Sequence, residues 1–250
     1  MAKRWMFIWI IYERIYEIMK ILAIDTASDV CGVSILEDKK CLCKLDTNTG
    51  RTHSENLMPM IQEALEKTGL SLKEIELLVC DKGPGSFTGI RIGVSTVKAF
   101  CDSLSIPCVG ISSLEALAYQ VKDEGLIASI IDCKNDNCYY ALYEFKNGVY
   151  EEKISPVADT IENVLLSLQN YAVLITFVGD GSEVYSSVIL EKIAEPFLMQ
   201  DSATLNSYDL GLAGLTKFQS IGNSPEEVLP LYLKKPQAQR QLEEKLGKEI

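Results

Sequence analysis

The 250-residue sequence contains a single histidine, His53, which excludes any zinc centre built on several imidazoles. Its eight cysteines, at 31, 41, 43, 80, 101, 108, 133 and 138, include no Cys-x-x-Cys pair. They lie mostly inside apolar runs, the pattern of buried reduced thiols in a cytosolic protein and not of a disulfide framework or a structural zinc site. No metal ligand set and no catalytic residue is therefore assigned. Positive charge is also scarce, with 24 Lys and Arg against 35 Asp and Glu for a net charge of −11. Phosphate contacts need clustered cations, so direct binding to nucleic acid or to an anionic membrane is not expected, and any link to RNA has to run through a basic partner. The apolar run from Trp5 to Tyr12 is far shorter than the about 20 residues that span a bilayer. A Walker loop, a G-x-S-x-G elbow and a strict G-x-G-x-x-G fingerprint are all missing.

Apolar residues make up 47% of the chain, enough for a sizeable core in one large domain or two modest ones. Residues 1–18 carry Lys3 and Arg4 ahead of the apolar run but no small-residue cleavage site, and are expected to be an appendage outside a fold that opens at Met19. From Lys20, "KILAID", "VCGVSILE" and "KCLCKLD" predict an antiparallel meander. "RTHSENLMPMIQEALEKTG" predicts a helix, with Thr52 and Glu55 at capping-box spacing, a bend at Pro59 and a stop at Gly69. "IELLVCD" and "PCVGI" read as strands, "GIRIGVSTVKAFCDSL" and "SSLEALAYQV" as helices. A second cycle follows, with "LIASIIDC" and "NCYYALYEF" forming a hairpin about "KNDN", then "TIENVLLSLQ", "AVLITFVGD" and the helix "SYDLGLAGLTKFQSI". Alternating strands and helices imply a partly parallel sheet. The repetition predicts two similar α/β halves, a first lobe at 19–112 and a second at 113–235, before a charged tail at 236–250.

Two constellations carry the chemical interest. "KGPGSFTGIRIG", residues 82–93, holds four glycines. Gly83 and Gly85 bracket Pro84, and Ser86 or Thr88 can cap a helix starting at Gly89, whose free N–H groups can hold an anion. Gly89 and Gly93 share one side of that helix and permit close approach of another element. A structural turn and a loop that contacts an anion or partner both remain open on these residues. In "IDTASDVCGVS", Asp25 closes a strand ahead of Thr26, as in the turn by which actin-like kinases hold ATP phosphates and Mg²⁺; Ala27 stands where that turn carries glycine. Of the other expected glycine turns, "IIDCKND" has none and "VGDGS" offers Gly179 and Gly181. Asp25, Thr26, Gly83, Gly85 and Gly179 thus mark a weak or vestigial nucleotide cleft. His53, in a helix's first turn, reads as solvated or partner-facing. Arg91, cationic at a helix start, calls for a nearby carboxylate or ligand anion.

Taken together, "MKILAIDTASDVCGVSIL", "RTHSENLMPMIQEAL", "DKGPGSFTGIRIGVSTVKAF", "PCVGISSLEALA", "VGDGS" and "LPLYLKK" resemble the TsaB family of tRNA threonylcarbamoyladenosine biosynthesis. The resemblance runs from Met19 to about Lys235. It implies an α/β, actin-like (ASKHA) fold of two lobes, each a mixed sheet flanked by helices, in a cytoplasmic protein without its own catalysis. It also implies pairing with a TsaD-like transferase, joined by a TsaE-like ATPase, a homodimer when alone, and contact with tRNA only through the complex. ATP or ADP would be held weakly or shared at a subunit interface. TsaD carries a metal-binding H-x-x-x-H, and the aligned helix here has His53 but Leu57 at the second position. The implied interface lies on helices 53–68 and 89–104, through His53, Leu57, Met58, Met60, Ile61, Arg91, Val94 and Lys98. An actin-fold ATPase or kinase is the alternative activity, and a peptidase the third.

Overall fold

The computed structural model describes residues 18–48, 52–171, 173–193, 197–199 and 204–234. The tail at 236–250 and all but the last residue of the appendage at 1–18 lie outside them. Sheet A is built from β1 (Lys20–Asp25), β2 (Cys31–Glu37), β3 (Lys40–Thr47), β4 (Leu77–Asp81) and β5 (Cys108–Ile111), in the order β3-β2-β1-β4-β5. Between these strands lie α1 (His53–Thr68) and α2 (Phe87–Leu104), and α3 (Ser113–Ala118) follows β5. Sheet B contains β6 (Gly125–Asp132), β7 (Asn137–Lys146), β8 (Val149–Thr160), β9 (Ile175–Val178) and β10 (Phe197–Met199), in the order β10-β9-β6-β7-β8. Three helices accompany it in sequence: α4 (Ile161–Leu168), α5 (Asp180–Val184) and α6 (Ser186–Lys192). Among the described residues the last long helix is α7 (Ser207–Ile221).

Both sheets are wired alike: an antiparallel meander of three strands, whose first member pairs in parallel with the fourth, which pairs with the fifth or, in sheet B, the last. The expected actin-like pair of mixed sheets flanked by helices is therefore what the chain forms. β1 from Ile21 to Ile24 and β4 from Leu77 to Cys80 are apolar because both faces of sheet A are covered, as central strands of such sheets require. Leu22, Ile24, Val33, Leu78 and Cys80 point towards α1 and α2, while Ile21, Ala23 and Val79 point the other way. That second face needs a cover that the first 112 residues do not contain, since α1 and α2 lie together on the opposite side. α7 supplies it, packing on β1, β2, β4 and β5. A split by sequence at residue 112 assigns α7 to the second segment, but its packing is on sheet A. One continuous core joins Ile21, Val79 and Ile111 of sheet A to Ile127, Ala141 and Val178 of sheet B through Leu114 and Leu117 of α3.

α1 begins at a capping box in which the Thr52 N–H is bonded to the Glu55 carboxylate at 3.0 Å, and the helix is continuous across Pro59. α2 starts at Phe87, two residues before Gly89, because Ser86 is its N-cap and accepts from the Gly89 N–H at 3.2 Å. All eight cysteines are free thiols, with Cys31, Cys43, Cys80, Cys108 and Cys138 buried and Cys41 exposed. Burial raises the Cys31 thiol to about 11 and Cys138 to about 12, which keeps both unreactive. Brief alkylation of native protein followed by peptide mass spectrometry is expected to label Cys41 ahead of the five buried thiols, which react only in denaturant.

Candidate functional site

The first turn, after β1, and the glycine loop, after β4, meet at the same end of sheet A because their strands are parallel neighbours. The Ser86 N–H donates to the Ala27 carbonyl at 2.6 Å, and the Thr26 hydroxyl donates to the Gly89 carbonyl at 2.8 Å. A Cβ on Gly85 would lie 2.1 Å from the Ala27 oxygen, and one on Gly89 would lie 1.9 Å from the Thr26 oxygen. These distances decide what the glycines do: they seat the loop against the chain's own backbone. Of the two readings left open for this loop, its glycines act as a structural turn. Gly179 repeats the arrangement in the other lobe, where a Cβ would lie 2.1 Å from the Ile130 oxygen at the end of β6.

A cleft of about 520 Å³ opens between the lobes, lined by Ala27, Ser28, Gly85 and Ser86 on one wall and by Asp132 and Asp180 on the other. Of the five residues expected to mark a nucleotide site, only Gly85 lines it. Asp25 and Thr26 are fully buried beneath the turn, and Gly83 and Gly179 are buried as well. The cleft has three carboxylates, Asp29, Asp132 and Asp180, against one ammonium, Lys134, which already pairs with Asp132 at 2.9 Å. That charge pattern disfavours a bound triphosphate.

Asp25 instead has a neighbour that the sequence reading passed over. Asp81, fully buried at the end of β4, accepts from the Gly83 N–H at 2.7 Å and from the Ser113 hydroxyl at 2.8 Å. The signal was present in the two parallel strands "KILAID" and "LLVCD", both ending on aspartate.

The expected partner residues divide sharply. Leu57, Met60, Ile61 and Val94 are between 1% and 8% exposed and belong to the core between α1, α2 and sheet A; of the four, Ile61 alone also reaches the floor of a surface groove. The apolar stripe on α1 is wider than one helix face ordinarily needs because β2, β3 and α2 all pack against it. Met58 differs, at 51% exposed. With Pro59, Gln62, Leu65, Leu70 and Phe100 it lines a shallow groove of about 470 Å³. His53 is half-buried, its Nε2 2.8 Å from the Ser28 carbonyl, so it braces the first turn and is neither solvated nor directed outwards. Arg91 needs no carboxylate. Its guanidinium lies 4.0 Å from the centre of the Phe87 ring, and its Nε donates to the Tyr232 hydroxyl at 2.8 Å. Lys98 is half-buried on α2.

A family model described as "TsaD: tRNA N6-adenosine threonylcarbamoyltransferase" matches residues 47–240. A TsaB from Buchnera aphidicola subsp. Schizaphis graminum is 33% identical, with 64% of this chain aligned to 78% of that one. The chain belongs to the TsaB family. Bacillus subtilis TsaB is 29% identical over 88% of this chain and 96% of its own length. A solved Pseudomonas aeruginosa structure called YeaZ superimposes with a TM-score of 0.70 at 25% identity, over 86% of this chain and 100% of that one. Another from the same organism, described as similar to peptidase YEAZ, gives 0.73 at 26% identity over the same shares. Within this TsaB-family chain, the residues matched by the transferase model include α1, where Leu57, 1% exposed, stands four residues after His53.

Proposed function

We propose that the chain is a non-catalytic subunit for threonylcarbamoyl transfer to N6 of adenosine 37 in tRNA. It acts by binding a TsaD-like transferase, together with a TsaE-like ATPase, in the cytoplasm, and reaches tRNA only through that complex. Alone, it forms a homodimer. One observation carries the reading: the residues that would serve a nucleotide, Asp25 and Thr26, are sealed beneath the glycine loop, while α1 keeps an apolar groove around Met58 open to the surface. Burying such a groove is what protein association is built on.

Co-expression with a TsaD-like transferase tests it. A stable complex and tRNA that loses its threonylcarbamoyladenosine when this chain is depleted are the expected results; retention of the full modification in cells without any paralogue overturns the reading. The actin-fold ATPase is the other reading its fold allows, and calorimetry separates the two. The isolated chain is expected to give no micromolar Mg-ATP isotherm, because closing nucleotide phosphates onto Asp25 would first require lifting Gly85 and Ser86 off Ala27. A micromolar site abolished by Asp25→Ala would favour the enzyme.

A further inference from the structure

The carboxyls of Asp25 and Asp81 emerge side by side, because β1 and β4 run in parallel register from Ile21 opposite Leu77 to Ile24 opposite Cys80. Neither has any solvent exposure. Asp81 is well supplied with donors, the Gly83 N–H at 2.7 Å and the Ser113 hydroxyl at 2.8 and 2.9 Å from its two oxygens. Asp25 is not. Its Oδ1 accepts from the Ala27 N–H at 2.9 Å, while its Oδ2 is buried without a donor, and the side chain lies within hydrogen-bond reach of Asp81. Two ionised carboxylates would leave that acceptor unsatisfied and set like charges together where water cannot screen them. We infer that Asp25 keeps its proton at neutral pH and donates it from Oδ2 to Asp81, so that the pair forms a one-proton clamp between the first turn and the glycine loop.

The surroundings agree with this assignment. Burial is the leading cause that pushes Asp25 well above the usual carboxylate range, followed by the Asp81 charge and, more weakly, by Asp46 of β3; the Ala27 N–H works against them. Burial also lifts Asp81, to about 6, against the Gly83 and Ser113 donors, Asp25 and Lys82. Asp46 is itself held by the Ser207 hydroxyl of α7 at 2.9 Å and by Lys44 at 2.9 Å. Cys31 of β2 and Cys80 of β4 stay neutral thiols, raised by burial first and by these aspartates next. α3 contributes Ser113, and α2 turns uncharged Gly89 and Gly93 towards the turn.

Each carboxyl organises one of the two segments that meet: Asp25 holds the Ala27 N–H, and Asp81 holds the Gly83 N–H. Removing the shared proton puts a second negative charge into the seam and separates them, loosening the start of α2. Unfolded aspartates titrate near 3.9, and both folded values are raised. The contribution of the pair to stability is therefore complete below about pH 4, begins to be lost as pH rises through about 6, and is lost further wherever Asp25, itself raised well above the usual carboxylate range, ionises.

Infrared spectroscopy of the full chain reads the proton directly. A protonated-carboxyl band is expected at pH 7, weakening at alkaline pH and reduced in Asp25→Asn, whose amide can donate to Asp81 in the proton's place. Burial also raises Glu115 and Asp180, so the assignment rests on the loss in that variant. Unfolding in denaturant at pH 7 should release about one proton fewer from Asp25→Asn than from wild type, and amide exchange at Ser86 should quicken with pH in wild type alone beyond the intrinsic rate. A wild-type spectrum without a protonated carboxyl at pH 7, or an unchanged spectrum in Asp25→Asn, overturns the inference. Should Asp25→Asn not fold, Ser113→Ala serves: losing a donor to ionised Asp81 must move the alkaline midpoint of the band, and a fixed midpoint overturns it equally.

Discussion

Gly89→Ala will destabilise the protein by about 3 kcal/mol or more, although in an ordinary helix the same change is favourable by about 1 kcal/mol. The two effects have opposite signs, and geometry decides between them. Gly89 lies in the first turn of α2, where alanine's backbone preference would help, but its Cβ would stand 1.9 Å from the Thr26 carbonyl oxygen. That neighbour is backbone at the end of a central strand, and it cannot rotate away. Relief requires moving α2 off the first turn, which breaks the bonds from Thr26 to Gly89 and from Ser86 to Ala27 and disturbs the Ile90 and Val94 packing beneath. Gly69→Ala is the control. Gly69 has φ of 68° but no atom within 4 Å of a Cβ, so only the left-handed backbone penalises alanine there, by about 1 kcal/mol. For a chain of this size the thermal midpoints should fall by roughly 6–12 °C for Gly89→Ala and by roughly 2–4 °C for Gly69→Ala. Equal losses, or none at Gly89, would show that the loop does not depend on this contact.

The sequence made the central strands legible because both sheets are covered on both faces, and covered strands show as nearly uninterrupted apolar runs between polar turns. It also exposed the repeat of meander, helix and parallel strand, and with it two sheets of one wiring. Three things escaped it. The packing of α7 against sheet A is a long-range fact: nothing inside "SYDLGLAGLTKFQSI" says which sheet it covers, and only the uncovered face of Ile21, Ala23 and Val79 demands it. The Asp25 and Asp81 pair needs the parallel register of β1 with β4, which joins residues 56 positions apart. The interface that the resemblance implies on α1 falls on a crowded apolar run, and a one-dimensional stripe does not show how many neighbours share it. In the fold, β2, β3 and α2 absorb Leu57 and Met60, Ile61 is buried but floors the surface groove, and Met58 is left exposed.

That division yields the second large effect. Met58→Asp is expected to leave the isolated chain's stability within about 0.5 kcal/mol of wild type, since the side chain is 51% exposed and touches no structural hydrogen bond. Leu57→Asp, the same change one residue earlier, buries a carboxylate at a position 1% exposed and should prevent folding. For a partner seated in the groove of Met58, Leu65, Leu70 and Phe100, the aspartate at 58 becomes a desolvated charge without a counterion. Such a charge at the centre of an interface costs about 3 kcal/mol, roughly a hundredfold in affinity. Purified Met58→Asp should therefore melt like wild type, fail to co-elute with the transferase at concentrations where wild type does, and leave tRNA undermodified when it is the cell's sole copy. Gln62→Ala, on the polar rim of the same groove, should cost little in either assay. A Met58→Asp chain that still forms the complex at wild-type affinity would move the docking face away from α1. The aromatic sandwich of Phe87, Arg91 and Tyr232 at the start of α2 would then be the next surface to test.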